Sequence, residues 1–359
     1  MKKRLVHVVQ THGLGDCIMT LPLLLDISAE GYEIVFSCRD NYTADFIRYI
    51  FACLNLEITV FSANTKSPLL ALRYLITIAF SRPCYLIICH GVNSLLSRLL
   101  SFIILPVIYI AKPRFLSGSQ NRLLMSKERG FHKVLYNQML FFDSKSNIPS
   151  DFISKRDFSL LLNGASFASS QSTYYSSLTS SDFIIFSLGS GEAESFKRWP
   201  THNYYELACL VGKNFPSTRV VLVGSPSEKY LAADFCSLDN VVDLIGKLDF
   251  SLLLEFYSKA VCLVSHCSGA AHISSIVGTP LVFISGPTSV DITGPYTDKC
   301  VVVSSKKNFL CSPCYSKHFH DGCHVNECMS SINPLDVLSA ISSPFIISRF
   351  KGQNHFPVI

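Results

Sequence analysis

Four short segments of this chain carry side chains that could handle an anionic or sugar-like ligand. In Val264–Pro287 an apolar stretch leads into the small polar loop Ser265–Ala271. A helical segment opened by His272 follows, then a second apolar run, Leu281–Ile284. This order sets backbone N–H groups and a helix N-terminus at the carboxyl end of a strand, where a phosphate can sit. Ser268, Gly269 and His272 are the candidate contacts. Ser187-Leu188-Gly189-Ser190-Gly191 repeats the pattern, a small-residue loop after a strand that can cradle phosphate, with Ser190 in the cradle. Lys197 and Arg198 follow, a point charge and a bidentate group for a diphosphate. The alternative is a solvated basic turn with Trp199 as a packing anchor. Glu228, just beyond Val221–Gly224, fits a carboxylate that binds ribose hydroxyls, and equally a solvated glutamate at a helix start.

Near the N-terminus, Gly13-Leu14-Gly15-Asp16 follows the first apolar run. The glycines Gly13 and Gly15 let the backbone turn tightly and approach a ligand. Asp16 is placed for a general base or for capping the following helix; the turn taken alone favours the cap. Cys311, Cys314, Cys323 and Cys328 are spaced C-x2-C-x8-C-x4-C, with His318, His320 and His324 among them. Structural zinc uses such ligands, but the second pair is wider than a C-x2-C knuckle. Free thiols or packing are the leading reading, and no metal is assigned.

These residues need a scaffold of short, continuous apolar runs. Leu5–Val9, Glu33–Ser37, Ile58–Phe61 and Tyr85–Cys89 read as buried parallel strands, with a helix from about Ile18. Phe183–Ser187, Val220–Val223, Val241–Leu244, Cys262–Val264, Leu281–Ile284 and Cys300–Val303 form a second series, with helices such as Asn203–Val211 and Ser251–Tyr257 between them. Lys155–Ser181, rich in Ser, Asn and Thr, is the linker candidate. Two βαβ series predict an α/β chain of two Rossmann-like domains facing a cleft, 1–165 and 166–345, with a C-terminal tail at 346–359.

The 359 residues suit two domains of ordinary size. With 48% hydrophobic and 16% charged residues, and a mean hydropathy of +0.32, large buried sheets are expected. The net charge of +5 does not call for nucleic acid; it suits an anionic substrate or an acidic lipid surface. No signal peptide is visible. The longest apolar stretch, Leu99–Ala111, is shorter than the roughly 20 residues that span a bilayer. Buried structure is its leading reading. Arg98, Lys112 and Arg114 flank it and leave peripheral contact with anionic lipid open. Fourteen cysteines without a secretory signal point to a reducing compartment and free thiols.

In order along the chain, these segments resemble glycosyltransferase family 9, the lipopolysaccharide heptosyltransferases. GLGDCIMTLPLL resembles the family's GD-x-x-x-T-x-P segment, and CHGVNSLLSRLL the stretch after an N-terminal-domain strand. HKVLYNQMLFF resembles its His-Lys/Ala-Val stretch and SLGSGEAESFKRWP its loop before K-x-W-P. NVVDLIGKLDFSLLLEFYSKA resembles D-L-x-G-K-T-S-L-x-E. VSHCSGAAHISSIVGTPLVFISGPT resembles its donor loop, and CSPC followed by ECM its C-terminal segment. The resemblance implies a GT-B fold with the acceptor on the N-terminal domain and the nucleotide sugar on the C-terminal one. It implies an inverting, metal-independent transfer with no cofactor. The donor would be ADP-heptose or a similar nucleotide sugar, and the acceptor a lipid-linked glycan, at the cytoplasmic side of the inner membrane. Asp16 matches the general base, Lys197 the diphosphate ligand, Glu228 the ribose ligand, and Ser268, Gly269 and His272 the donor loop. Cys267 stands where the family has Asp, which opens a non-heptose donor or a degenerate, non-catalytic binding protein. Leu248-Asp249 in place of Thr-Ser is a milder departure.

Overall fold

The computed structural model describes residues 4–62, 85–89, 110–111, 132–143, 152–163, 165, 167, 173–314, 323 and 325–350. The chain forms two compact units, Met1–Ser154 and Lys155–Ile359. In the first, β1 (Leu5–Val9), β2 (Glu33–Cys38), β3 (Thr59–Ser62), β4 (Tyr85–Ile88) and β5 (Ile110–Ala111) pair in parallel. Their order is β3-β2-β1-β4-β5. Val6, Val8, Val9 and Phe36 have no exposed surface, because helices linking parallel strands must cover the sheet. The first helix, Leu14–Ile18, begins earlier than the start near Ile18 read from the sequence, and Leu21–Ala29 follows it.

The second unit holds β6 (Phe183–Ser187), β7 (Arg219–Val223), β8 (Val241–Asp243), β9 (Cys262–His266), β10 (Leu281–Ser285) and β11 (Cys300–Ser304). All pair in parallel, in the order β11-β10-β9-β6-β7-β8. In each unit the winding reverses beside the first strand, between β1 and β4 and between β6 and β9. Such reversal points are where open α/β sheets bind ligands, at the carboxyl ends of the strands.

The helix Thr201–Asn214 buries Tyr204, Leu207, Ala208 and Val211, a spacing that lays one apolar stripe on the sheet. It packs with the helix Pro334–Ile341, and Phe350 stacks on Phe215 at 5.2 Å between ring centroids. Ile346 and Phe350 therefore belong to the core of the second unit, although the sequence places the tail from 346. The proposed linker is also partly built in. Lys155–Ser159 and Thr173–Ser180 are helical, Phe158 is fully buried, Ser159 Oγ lies 2.6 Å from Thr297 Oγ1, and Leu162 N–H donates to Ile276 C=O. The division thus falls at 154/155, ahead of the 165/166 boundary read from the sequence. Among the described residues no helix is long and apolar enough to cross a membrane. Of the apolar run Leu99–Ala111, residues 99–109 lie outside the described residues, as do the flanking Arg98, Lys112 and Arg114.

Each unit buries a histidine in a central strand. His7 on β1 lies 2.8 Å from Ser37 Oγ, and burial pushes its imidazole down to about 3. Burial also takes His266 on β9 down to about 3, with the charge of Arg198 adding to the effect. The ordinary value is 6.5. Between 6.5 and 3 the unfolded chain binds more protons than the folded one, so stability is present above that window and is lost as pH falls through it. Urea midpoints should drop on going from about pH 7 to about pH 4.5, and His266→Gln should flatten that dependence. Identical slopes in variant and parent would refute it. A second outcome concerns Asp249, whose carboxylate accepts from Leu252 N–H at 2.8 Å and caps the helix Phe250–Lys259. Asp249→Ala should cost about 1 kcal/mol in denaturant unfolding, and Asp249→Ser close to nothing.

Candidate functional site

In the second unit, the loops after β6 and β7 are joined by one carboxylate. β7 runs into Gly224-Ser225 and then the 3-10 segment Pro226–Ser237, which carries Glu228. Glu228 Oε2 accepts from Ser225 N–H at 2.8 Å, and Oε1 accepts from Gly191 N–H at 3.2 Å. The carboxylate lies over Gly189 so closely that a Cβ there would collide with it. Gly191 has φ +74°, a conformation that only glycine adopts without strain. Glu228 is therefore the helix-start glutamate that the sequence allows, but buried rather than solvated. Its carboxylate bridges two loops at the strand ends.

Gly191 leads into a 3-10 turn, Glu192–Lys197, which Ser190 Oγ tightens by donating to Glu194 C=O at 2.8 Å. The turn delivers Lys197, only 5% exposed, whose Nζ lies 2.8 Å from Glu194 Oε1. The reading of this segment as a solvated basic turn is thus corrected for Lys197. Its neighbour Arg198 points elsewhere: its guanidinium donates to Tyr230 Oη (2.7 Å) and Glu192 Oε1 (3.1 Å), with Tyr230 donating to Glu192 in turn. These bonds commit Arg198 to a surface cluster. Trp199 is the packing anchor: fully buried, edge-on to Tyr204 at 4.8 Å, with Nε1–H donating to Ile332 C=O at 3.1 Å.

At the end of β9 the helix Gly269–Val277 starts at the N-cap Ser268, not at His272. The first-turn N–H groups therefore stand at the carboxyl end of the strand, the geometry of an anion site. Ser268 Oγ lies 3.1 Å from Ser265 Oγ and makes no cap bond of its own. His272 is buried within the helix, and Cys267 is buried with its Sγ directed at Thr293 C=O. Behind the loop, Tyr204 Oη–H donates to Ser187 C=O (3.1 Å) and lies 3.2 Å from His266 Nδ1, which ties the ends of β6 and β9 to one helix. Sequence reading missed this tie; a histidine in a strand end of otherwise small residues was its only signal.

In the first unit Gly13 is the N-cap of the helix Leu14–Ile18, with φ −67° and open space where a Cβ would be. Neither it nor Gly15, inside the helix, has a positive φ. Asp16 sits in the first helical turn. Its Oδ1 accepts from Lys133 Nζ at 2.9 Å, the two side chains being 21% and 17% exposed. Lys133 was quoted in the HKV stretch without a role. The structure gives it one.

Cys314 and Cys328 are buried, Cys311 and Cys323 exposed, and Cys328 packs against Gly286 at the end of β10. Burial pushes the Cys328 thiol up to about 11, with the other three cysteines adding. Among the described residues no three His, Cys, Asp or Glu side chains gather as a metal ion requires. His318, His320 and His324 lie outside the described residues, as does most of CHGVNSLLSRLL, from His90 onward.

The lipooligosaccharide heptosyltransferase 2 of Haemophilus influenzae is 29% identical over 114 residues, 30% of this chain and 32% of that protein. The match thus spans about a third of that relative's length. The structure of Escherichia coli ADP-heptose lipopolysaccharide heptosyltransferase II superposes with a TM-score of 0.66 at 16% identity, over 96% of this chain and 99% of that one. E. coli heptosyltransferase WaaC with ADP gives the same score and identity, over 94% and 99%. These likenesses show the fold, the GT-B class, built here as two Rossmann-like sheets. The model of glycosyltransferase family 9 (heptosyltransferase) matches residues 116–323, more than half of the 359, and the chain belongs to that family.

Proposed function

We propose that this chain transfers a sugar, heptose or a related one, from an ADP-linked donor to a lipopolysaccharide core or other lipid-linked surface glycan. The transfer inverts the sugar and needs no metal. The observation that carries this reading is the buried Lys197, set on a small-residue loop at the β6–β9 reversal point with a helix N-terminus on the next strand. The names of the Haemophilus relative and of the E. coli structures support ADP-heptose as donor.

The chemistry follows from the residues. The acceptor hydroxyl oxygen bonds to the anomeric carbon from the face opposite the diphosphate, and the bond from that carbon to the diphosphate oxygen breaks. The hydroxyl proton passes to the Asp16 carboxylate. The electron pair goes to the leaving diphosphate, whose charge meets the Lys197 ammonium and the first-turn N–H groups of Gly269–Val277. A fixed ammonium and oriented dipoles do here what a divalent ion does elsewhere. Glu228 already accepts two backbone N–H groups, and a carboxylate has further lone pairs for a ribose hydroxyl. Cys267 bears on the sugar: a neutral thiol accepts hydroxyl bonds poorly beside a carboxylate, which favours a sugar related to heptose as much as heptose itself. The acceptor is lipid-linked, so the reaction belongs at the cytoplasmic face of the inner membrane, where a net charge of +5 suits anionic lipid.

Two outcomes test this. With ADP-heptose and a heptose-free lipopolysaccharide core as substrates, and EDTA present, the wild-type chain should release ADP. Asp16→Asn should lower turnover by roughly 10²–10⁴-fold and leave ADP affinity unchanged; wild-type turnover in that variant removes Asp16 as the base. If calorimetry finds no binding of ADP, UDP, GDP or CMP to the wild-type chain, the non-catalytic reading replaces this one. For the donor side, Lys197→Ala should weaken ADP binding by about 1–3 kcal/mol, the worth of a charged hydrogen bond. Glu194→Gln, which removes the carboxylate now paired with Lys197, should tighten ADP binding. Equal affinities across the three proteins would strip Lys197 of its role.

A further inference from the structure

We propose that Lys133 is a positioning residue for the base, holding the Asp16 carboxylate ionised and aimed through an ion pair that persists during the reaction. This rests on the reading of Asp16 as the base.

The pair is built in, not incidental. Lys133 is the first residue of the helix Lys133–Asp143, where an ammonium meets the positive end of the helix dipole. Local electrostatics oppose a lysine there, so its compensation comes from a tertiary partner, Asp16, more than a hundred positions away in sequence. The helix is locked in register against that partner's segment. Lys133 and Asn137 are one turn apart, and so are Asp16 and Thr20, so the two rows meet rung for rung. Asn137 Nδ2 donates to Met19 C=O (3.2 Å) and Thr20 Oγ1 (3.3 Å), and Thr20 Oγ1 donates to Asp16 C=O (2.9 Å). Gln138 Nε2 donates to Asp26 Oδ2 at 2.8 Å, and His132 Nδ1 accepts from Val134 N–H at 3.2 Å. Tyr136, Met139 and Leu140 are buried. A shift of this helix would break the Lys133, Asn137 and Gln138 contacts together.

Two thiols also face Asp16 closely enough to feel its charge, Cys17 on its own helix and Cys89 beyond β4. Burial pushes Cys17 well above the ordinary thiol range and Cys89 up to about 12, so both are neutral near pH 7. Lys133 brings the charge. A general base must be ionised before the hydroxyl arrives, and an ammonium at 2.9 Å disfavours protonation of the carboxylate. It also removes rotamer freedom from the side chain. A carboxylate has more lone-pair sites than one ammonium takes, so Asp16 can hold Lys133 and accept an acceptor hydroxyl together.

The test uses the full chain labelled with ¹³C at aspartate carboxyl groups, the Asp16 resonance being the one missing from Asp16→Asn. In Lys133→Gln, which keeps a hydrogen-bond donor and loses the charge, the titration midpoint of that resonance should rise by about one pH unit or more. Lys133→Arg should return it to the wild-type value. In the ADP-heptose assay Lys133→Gln should lower kcat at least tenfold, shift the acidic limb of the rate profile upward and leave the donor KM unchanged; Lys133→Arg should restore most of the rate. A midpoint that stays put in Lys133→Gln overturns the proposal, as does a moved midpoint with wild-type kcat and acidic limb. Wild-type turnover in Asp16→Asn instead defeats the base reading itself, and Lys133 loses its catalytic meaning with it. Should Lys133→Gln fail to fold, Lys133→Met, which keeps the stem and loses the charge, is read by the same midpoint and rate: a raised midpoint with lowered kcat supports the role, and a wild-type midpoint overturns it.

Discussion

The strand-end loops of the second unit depend on one buried carboxylate lying on a glycine. Glu228 can hold the Ser225 and Gly191 amides only because Gly189 presents no Cβ beneath it. A buried carboxylate is costly unless its oxygens are satisfied, and here backbone N–H groups satisfy it without a cation. The consequence propagates along the chain. Gly191 is fixed in its left-handed conformation, the turn Glu192–Lys197 starts from it, and the ammonium of Lys197 arrives out of water at the strand ends. Pro200 then caps the helix Thr201–Asn214, and Trp199 anchors the whole segment in the core. A loop that would otherwise be mobile is thereby held by a carboxylate at one end and an indole at the other.

The first unit holds its carboxylate by a different physical means. Asp16 is a fifth exposed and rests against the ammonium of Lys133. The partner is carried by a helix whose polar side chains, Asn137 and Gln138, are spent on registering it against Thr20 and Asp26. The two helices Leu21–Ala29 and Lys133–Asp143 thus pack on each other around these bonds.

The strands were legible because parallel strands buried on both faces read as unbroken apolar runs. β1 and β6 match the sequence reading residue for residue, β3 is displaced by one residue, the short β5 was not read as a strand of its own, and the others differ by one or two residues at an end. Asp16, Ser190, Lys197 and Ser268 were legible as residues at strand ends, where loop chemistry is local. What the sequence hid is what depends on distant partners. The Lys133–Asp16 pair joins positions in separate elements, and no local pattern announces it. For Glu228 the sequence left a ribose ligand and a solvated helix-start residue equally open, because its amide partners belong to two loops. The helix Gly269–Val277 begins before its first periodic residue, since Ser268 and Gly269 contribute no apolar stripe. The Ser-rich stretch after Lys155 hid Phe158 and Leu162, two apolar side chains too few to show a period yet enough to dock it.

Cys267 separates two tasks that the donor loop would otherwise seem to perform with one set of atoms. The anion-facing groups at the end of β9 are main-chain N–H donors of a helix first turn, together with Lys197 from a different strand. None of them depends on the side chain at 267. The Ser265–Ser268 pair and the Tyr204–His266 tie keep that backbone in place whichever residue stands between. On the proposed reading, a thiol in place of a carboxylate at 267 leaves the diphosphate-facing groups unchanged and alters the atom offered to sugar hydroxyls. A degenerate site would be expected to lose costly features first, and a buried lysine, a buried carboxylate and a left-handed glycine are all costly to keep. On the proposed reading, the presence of all three beside Cys267 favours a changed sugar preference over a lost activity.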